Sequence, residues 1–370
     1  MPPPPPHSSA PVPTSGDPAI SGVGEPTSLR WKRRAVSVPA MLYATAFAFA
    51  CAPLIALGLT VADLALGRVR LPRLRLFGMV LQYLFNDSVE ILLAPVLWVL
   101  AGFGTRIDSR SSQRRHARVQ RWSIDVLARR ADRLLGLRIE VDGTEALRPA
   151  PAIVLSRHVS LADASLPVLL YGREIGYDAR AVIMAEMLAD PGFDLLYGRL
   201  GSVFINRDRG EQAQRAIRTL GEGLDDRSVA VICPEGRLFR PDALERALAR
   251  LEDSDPVRAE RLRALRHVLP PRPGGVLSLL DGAPHADVVI VAHAGFEEVP
   301  SVAELSRRVP LGQAIKVAVW RVPRALIPND PDGRVKWLDD EWLRLDQWVD
   351  ARLAGSGAPP VGAATSAPTG

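Results

Sequence analysis

The sequence predicts an α/β fold, in which helices flank a mostly parallel β-sheet and apolar membrane helices precede it. Strand-like runs alternate with helical patterns along the chain, which favours parallel strands joined by crossover helices. Residues 35–62 contain no charged side chain, and 28 residues suffice to cross a hydrocarbon core of roughly 30 Å. The strand-like runs are 137–141, 152–156, 181–184, 202–206, 229–233, 287–292 and 315–320.

Composition divides the chain into four parts. Residues 1–34 begin with Met and five prolines and stay rich in Pro, Ser and Gly, so we expect a disordered lead-in. Residues 35–104 are predicted as membrane-anchoring hydrophobic helices. Residues 105–353 carry the strand and helix patterns of the α/β domain, and 354–370 are predicted as a disordered tail.

The second apolar stretch, 76–104, is interrupted by Asn86, Asp87 and Glu90. Charges are costly in hydrocarbon unless they face protein or water, so this stretch either spans a membrane or enters it and returns. Basic residues lie on both sides of the first stretch, at 30–34 and 68–75. The positive-inside rule therefore selects no orientation, whereas a hairpin with both ends on the cytoplasmic side accommodates both clusters.

Charge and cysteine content indicate partners and compartment. The formal net charge of +5 suits anionic lipid or a phosphorylated substrate. The basic run 106–121 is interpreted either as a solvated helix face or as a contact with anionic headgroups. Nucleic acid is not an expected partner, because zinc spacing and ribonucleoprotein-type motifs are missing from the sequence. Two cysteines, Cys51 and Cys233, do not indicate a disulfide, so we expect the α/β domain to face the cytoplasm at the inner membrane.

A histidine follows the second strand-like run and an aspartate comes five residues later. The run 152–156 breaks at Arg157-His158 and a helical pattern begins near 160, so Asp163 can return its carboxylate to the imidazole of His158. A carboxylate there fixes the tautomer that a general base needs. A surface histidine beside a capping aspartate is the alternative. Metal-ligand spacing is not found among the histidines and cysteines.

Two more strands end in residues that suit a phosphorylated substrate. The run 202–206 is followed by Arg207 and Arg209, and an arginine fork binds phosphate through paired hydrogen bonds. The run 229–233 is followed by Pro234-Glu235-Gly236-Arg237. Strand ends of an α/β sheet converge on one crevice, although each motif alone also fits an ordinary turn.

Together these stretches resemble the first three motifs of the glycerolipid acyltransferase family, which includes 1-acylglycerol-3-phosphate acyltransferases. That family carries N-H-x4-D, G-x-x-F-I-x-R and F-P-E-G-T-R-S motifs. Here the matching residues are Arg157-His158-x4-Asp163, Gly201-x-x-Phe204-Ile-x-Arg207 and Cys233-Pro234-Glu235-Gly236-Arg237. The resemblance covers about 120–350.

The resemblance implies a role for each matching residue. His158 would act as base on an acceptor hydroxyl, with Asp163 orienting it. Arg207 would bind the acceptor phosphate, in a site shaped by Glu235, Gly236 and Arg237. The donor would be acyl-CoA or acyl carrier protein as co-substrate, with no cofactor. The acceptor would be a lysophospholipid, with 1-acylglycerol-3-phosphate giving phosphatidic acid in phospholipid biosynthesis.

The sequence departs from the family pattern at several positions. Arg157 replaces the asparagine before the histidine, and Arg237-Leu238 replaces Thr-Arg. The fourth family motif would fall at 288–293, where the strand lacks its proline, and His293 there is interpreted as structural. The stretch 269–275 resembles a Pro-Arg-x-x-Gly segment of longer family members. These changes leave open another lysophospholipid or polyol acceptor, and a catalytically inactive, membrane-anchored lipid-binding protein.

Overall fold

The protein is built on a β-sheet, and its computed structural model describes residues 25–160, 162–206, 210–298, 306, 309–312 and 314–355. In the described part the sheet has seven strands in the order β1-β7-β6-β2-β5-β3-β4. Neighbouring strands are parallel except β6 and β7, which are antiparallel. The strands are β1 Ile139–Asp142, β2 Ala152–Ser156, β3 Asp178–Met184, β4 Val203–Ile205, β5 Ser228–Ile232, β6 Asp287–Ala294 and β7 Ile315–Val322. The predicted mostly parallel sheet flanked by helices is confirmed.

Both faces of the sheet are covered, which explains the continuous apolar runs of the central strands. Every residue of β2 is buried. Ile153 and Leu155 belong to one apolar cluster, whereas Ala152 and Val154 belong to the cluster on the opposite face. Successive side chains of a strand point to opposite faces, so this single strand contributes to both cores.

Helices on the two faces follow most of the predicted helical patterns. The segment after β2 differs, because the pattern at 160–171 forms a 3₁₀ turn at Asp163–Ser165, the short helix α4 and a π turn at Leu170–Ile175. Pro167 lacks the N–H that an uninterrupted helix would use. The helices are α1 Thr27–Ala65, α2 Pro72–Leu100, α3 Arg110–Leu135, α4 Leu166–Leu169, α5 Gly210–Glu222, α6 Pro241–Ser254, α7 Pro256–Leu262, α8 Pro273–Gly282 and α9 Pro331–Leu353.

The first three helices pack side by side against one end of the α/β domain. α1 and α2 are antiparallel: Thr45 donates to the carbonyl of Leu84, and Asp63 accepts from the main chain of Arg73. α2 is in turn antiparallel to α3, since Arg75 donates to the carbonyl of Leu134. α1 and α2 thus form a helical hairpin with its turn at 66–71, so the basic clusters 30–34 and 68–75 lie near opposite ends of α1, whereas the predicted hairpin requires them to lie together. Both ends of α2 lie against protein.

α1 begins at Thr27, eight residues before the predicted start of the helical region at 35. The residues between are held to the α/β domain, because Arg33 and Arg34 both donate to the buried carboxylate of Asp194, at 2.6 and 2.8 Å. Charge patterning alone does not reveal this partner, which is remote in sequence. Residues 1–24 and 356–370, where the disordered lead-in and tail are predicted, lie outside the described residues.

The polar residues of α2 face protein. Asn86 donates to the carbonyl oxygen of Ser123 in α3 at 2.8 Å, and Asp87 and Glu90 are buried around the Cα of Gly192. Both carboxylates therefore face protein, which is one of the two environments that tolerate such charges. α1 and α2 are each long and apolar enough to cross a membrane, and the outer face of α1 exposes large apolar side chains such as Tyr43, Phe47 and Leu54.

Candidate active site

The candidate site lies where β2, β5 and β6 end. β2 is parallel to both neighbours, with Leu155 beside Ile232 and Ser156 beside Val291. The turns that follow these strands therefore leave the sheet at the same edge, which is where ligands bind in open α/β sheets. The sequence places His158, Glu235 and His293 at these three ends.

His158 and Asp163 form the predicted pair. Nδ1 of His158 lies 2.7 Å from Oδ1 of Asp163, and the carboxylate is fully buried. Oδ2 accepts hydrogen bonds from the main-chain N–H groups of Val159 and Ser160, at 2.6 and 2.8 Å. These bonds turn the chain back on itself and fix the carboxylate. Because a carboxylate accepts, Nδ1 carries the proton and Nε2 keeps its lone pair.

Glu235 joins the end of β5 to the end of β2. Its Oε1 accepts from the main-chain N–H of His158 at 3.0 Å, and its Oε2 accepts from the main-chain N–H of Leu269 at 2.9 Å. The Glu235 carboxylate thus fixes the main chain of His158 from the neighbouring strand end. Further along the same turn, the N–H of Phe239 donates to the carbonyl of His158 at 2.8 Å.

Two other predicted substrate-binding residues, Gly236 and Arg237, lie in this turn. Gly236 has a φ of +66°, a conformation that favours glycine. Arg237 is half-buried, and its Nε has no hydrogen-bond partner among the described residues. Arg207 lies outside the described residues. The strand before it, β4, ends at Ile205 and is parallel to β3, so it ends at the same sheet edge.

His293 lies beneath the pair, as the structural interpretation of this residue expects. Its imidazole is fully buried, and Nε2 lies 3.1 Å from the carbonyl oxygen of Arg157 and 3.5 Å from Oδ2 of Asp163. A carbonyl only accepts, so Nε2 carries the proton. The ring of Phe296 meets this imidazole edge-on at 5.1 Å between centroids.

A segment that the motifs did not assign to the site, 267–272, forms one wall. Leu269 holds Glu235, and the N–H of Arg272 donates to the carbonyl of Pro234 at 2.9 Å. Asp346 of α9 supports the segment from behind, by accepting from the main-chain N–H of His267 at 2.6 Å. The resemblance of 269–275 to longer family members was the only sequence signal for this wall.

Burial shifts the acid–base behaviour of three groups at this edge. It raises the pKa of Glu235 to about 7, while the N–H of Leu269 and the charge of Arg157 act in the opposite direction. It lowers the pKa of His293 to about 4, so this imidazole is neutral near pH 7. It also raises the pKa of the Cys233 thiol, which keeps that sulfur protonated and unreactive.

The arrangement suits proton abstraction from a hydroxyl group. The imidazole of His158 is the partly exposed member, with 19% of its side chain accessible, and Nε2 is paired with none of the described residues. A buried carboxylate behind an exposed imidazole stabilises the imidazolium as it forms. Among the described residues there is no His, Cys, Asp and Glu cluster that could hold a metal ion.

Comparison with known proteins agrees with this chemistry. Residues 138–297 match the family model named Acyltransferase, and this range contains the pair, the Pro-Glu-Gly turn and His293. This part of the chain is therefore similar to the acyltransferase family. The matched range begins at the residue before β1 and spans strands β1 to β6.

One solved structure is also similar to the chain. It is the 1-acyl-sn-glycerophosphate acyltransferase PlsC from Thermotoga maritima, with 18% identity and a TM-score of 0.43, covering 73% of this chain and 98% of that one. No curated protein sequence matches the chain.

Proposed function

We propose that the acyltransferase domain transfers a fatty acyl group from acyl-CoA or acyl carrier protein to the free hydroxyl of 1-acylglycerol-3-phosphate, giving phosphatidic acid. The observation that carries this proposal is the His158–Asp163 pair at 2.7 Å with a free Nε2. A thioester is already activated, so deprotonation of the attacking hydroxyl is the step for which a base is needed.

The reaction then needs one base and no covalent enzyme intermediate. Nε2 of His158 takes the proton of the acceptor hydroxyl as its oxygen forms a bond to the thioester carbonyl carbon. The tetrahedral intermediate collapses, the C–S bond breaks, and the thiolate leaves with the electron pair. Imidazolium returns the proton to that thiolate. Asp163 stabilises the imidazolium throughout, because its buried carboxylate is held by two main-chain N–H groups.

The acceptor phosphate is assigned to the arginines at the same sheet edge. Arg207 follows β4 and Arg237 follows the end of β5, and both strands end at the same edge of the sheet as β2. β4 lies three strand positions from β2, which is roughly 14 Å at the usual strand spacing. Glycerol phosphate and two side chains can span this distance. The departures from the family motif at Arg237-Leu238 are the reason to test other lysophospholipids and polyol headgroups as acceptors.

We infer that the protein is bound to membrane lipid through α1 and α3. α1 has 39 residues, about 58 Å, which exceeds the hydrocarbon thickness, and both ends are tied to protein. Its apolar face therefore suits a position within one leaflet. On α3, Arg110, Arg114 and Arg118 are exposed at a spacing of four and Trp122 continues the row. Basic and tryptophan side chains on one helix face suit anionic headgroups.

The location proposed for the protein is the inner membrane, with the acyltransferase domain on the cytoplasmic side. Free cysteines and the cytoplasmic supply of acyl thioesters support this side. Arg34 and Arg75, near opposite ends of α1, donate to Asp194 and to the carbonyl of Leu134 in α3, so both ends of α1 are held to protein that we place on the cytoplasmic side.

The test follows release of free thiol from acyl-CoA by purified protein in nanodiscs, with a panel of lysolipid and polyol acceptors. We expect release that requires 1-acylglycerol-3-phosphate and is abolished in His158→Ala. His285→Ala is the matched control, because this histidine is exposed and remote from the carboxyl ends of the strands, where the candidate site lies. Release that occurs only with another acceptor would keep the proposed mechanism but identify that acceptor as the substrate. A lack of thiol release with both acyl-CoA and acyl carrier protein as donor would favour a lipid-binding protein. Activity in His158→Ala would reject the assignment of His158 as the general base.

A further inference from the structure

Arg157 is a fully buried cation immediately before the base. Each of its three guanidinium nitrogens has an oxygen acceptor: Nε and Nη2 donate to the carbonyl of His267, at 3.2 and 2.7 Å, and Nη1 donates to the carbonyl of His293 at 2.7 Å. Nη1 also pairs with the carboxylate of Glu297. A buried charge is tolerated only when it is paired and hydrogen-bonded, so this side chain is committed to these four contacts.

These contacts close a ring that includes the base. Arg157 holds the carbonyl of His267, and two residues further on the N–H of Leu269 donates to Oε2 of Glu235 at 2.9 Å. The other oxygen of Glu235 accepts from the N–H of His158 at 3.0 Å. Since Arg157 and His158 are consecutive, the ring returns to its starting residue. A movement of the 267–269 segment therefore moves the main chain of His158.

A second connection joins Arg157 to the carboxylate of the pair. Arg157 and His293 exchange hydrogen bonds: the guanidinium donates to the carbonyl of His293, and Nε2 of His293 donates to the carbonyl of Arg157 at 3.1 Å. The same Nε2 lies 3.5 Å from Oδ2 of Asp163. His293 thus lies between Arg157 and the buried carboxylate that orients the base.

We propose that Arg157 is a positioning residue for acyl transfer, which holds His158 through the 267–269 segment and Glu235, and holds Asp163 through His293. The proposal rests on the proposed acyl transfer activity of the domain. The guanidinium fork is needed for it, because Arg157 makes two parallel bonds to one carbonyl and a third to another. A lysine has one ammonium group and cannot reproduce that geometry.

Positioning of this kind affects the rate of the chemical step more than substrate binding. A displacement of about 1 Å in a reacting group can cost about 100-fold in rate. Arg157 itself touches no substrate in this scheme, since its side chain is enclosed. Losing its contacts is therefore expected to lower kcat, while the KM values for acceptor and donor change only a few-fold.

The experiment compares Arg157→Met and Arg157→Lys with wild type in the nanodisc assay. We expect kcat to fall about 100-fold in Arg157→Met, with a partial loss in Arg157→Lys, which keeps the charge but not the fork. Arg180→Met is the matched control. That arginine is also buried but bonds the carbonyl of Gly223 near the start of β3, so its loss should lower the melting temperature and leave kcat unchanged.

A double-variant cycle separates positioning from a general loss of stability. If Arg157 acts through Glu235, combining Arg157→Met with Glu235→Gln should cost little more than the larger single loss. Losses that multiply, or a kcat within threefold of wild type in Arg157→Met, would overturn the proposal. If Arg157→Met fails to fold, Arg157→Lys carries the same cycle. An inactive wild type, or an active His158→Ala, would instead reject the proposed function.

Discussion

The main-chain N–H of His158 donates to Oε1 of Glu235 at 3.0 Å, so the residue that follows β5 holds the residue that follows β2. The imidazole is thus fixed from two directions, by Asp163 at Nδ1 and by Glu235 at its own main chain. In this protein the Pro-Glu-Gly motif therefore helps to fix the position of His158.

Asp163→Asn is expected to lower kcat about 10³- to 10⁴-fold. An amide can donate to Nδ1 and so stabilise the tautomer whose Nε2 carries the proton and cannot act as base. The acceptor KM should change little, because Asp163 is fully buried. Thiol release and the melting temperature are measured together. Asp226→Asn, at an exposed position, is the control, and a loss below tenfold in Asp163→Asn would contradict the orienting role.

Glu235 gives opposite pH trends for stability and activity. Burial raises its pKa from 4.5 to about 7, so the unfolded chain loses this proton at lower pH than the folded one. Its contribution to stability is fully present below about 4.5 and is lost as the pH rises through about 7. Activity should follow the other direction, since the ionised carboxylate accepts both main-chain N–H groups.

The test for Glu235 is the melting temperature of wild type relative to Glu235→Gln between pH 5 and 7.5. Wild type should lose stability relative to the variant as the pH rises, because glutamine does not titrate. Over the same range the kcat of wild type should rise. A constant difference in melting temperature would show that Glu235 does not titrate in this window.

Gly192→Ala is expected to separate the helical hairpin from the α/β domain. A Cβ at this position would lie 2.1 Å from Oδ1 of Asp87 and 2.8 Å from Oε2 of Glu90, which is closer than real Cβ atoms approach other atoms. We expect a lower melting temperature and faster proteolysis near 66–71. Gly58→Ala in α1 is the control, because a Cβ there meets nothing within 4 Å. Equal behaviour of the two variants would reject this contact.

Membrane binding should depend on the arginine row of α3 and on the apolar face of α1. Replacing Arg110, Arg114 and Arg118 with glutamine should weaken binding to anionic vesicles by about 1 kcal/mol per residue, and added salt should reduce the difference. Phe47→Asp, at an exposed position of α1, should weaken binding to neutral vesicles too. Sedimentation with vesicles measures both. Unchanged binding of the triple variant would show that α3 does not face lipid.

The sheet could be predicted from the sequence because its strands are short apolar runs between turn residues, and all seven predicted runs overlap observed strands. His158, Asp163 and Glu235 could be placed together because each follows a parallel strand. The break in the helix at Pro167 and the early start of α1 could not be predicted from the sequence as readily. The second depends on Asp194, about 160 residues from Arg33 and Arg34, which no local pattern connects to them.

The surroundings of the pair could not be predicted. Arg157 was visible only as a departure from a motif, and its contacts with His267, His293 and Glu297 bring together parts of the chain more than 100 residues apart. Sequence spacing carries no information on such contacts. Likewise Asp87 and Glu90 were ambiguous until the packing of α2 showed both of them buried against protein.

The ring through Arg157 also limits which relatives could exchange this residue. In a domain whose corresponding wall lacked free carbonyl groups, an arginine in place of asparagine would be a buried, unpaired cation, and breaking a buried pair costs about 3–5 kcal/mol. Conversely, asparagine is too short to reach the carbonyl of His267 here. Exchanging arginine and asparagine at position 157 therefore requires a matching change in the wall. A chimaera should carry residue 157 and residues 267–272 as one unit.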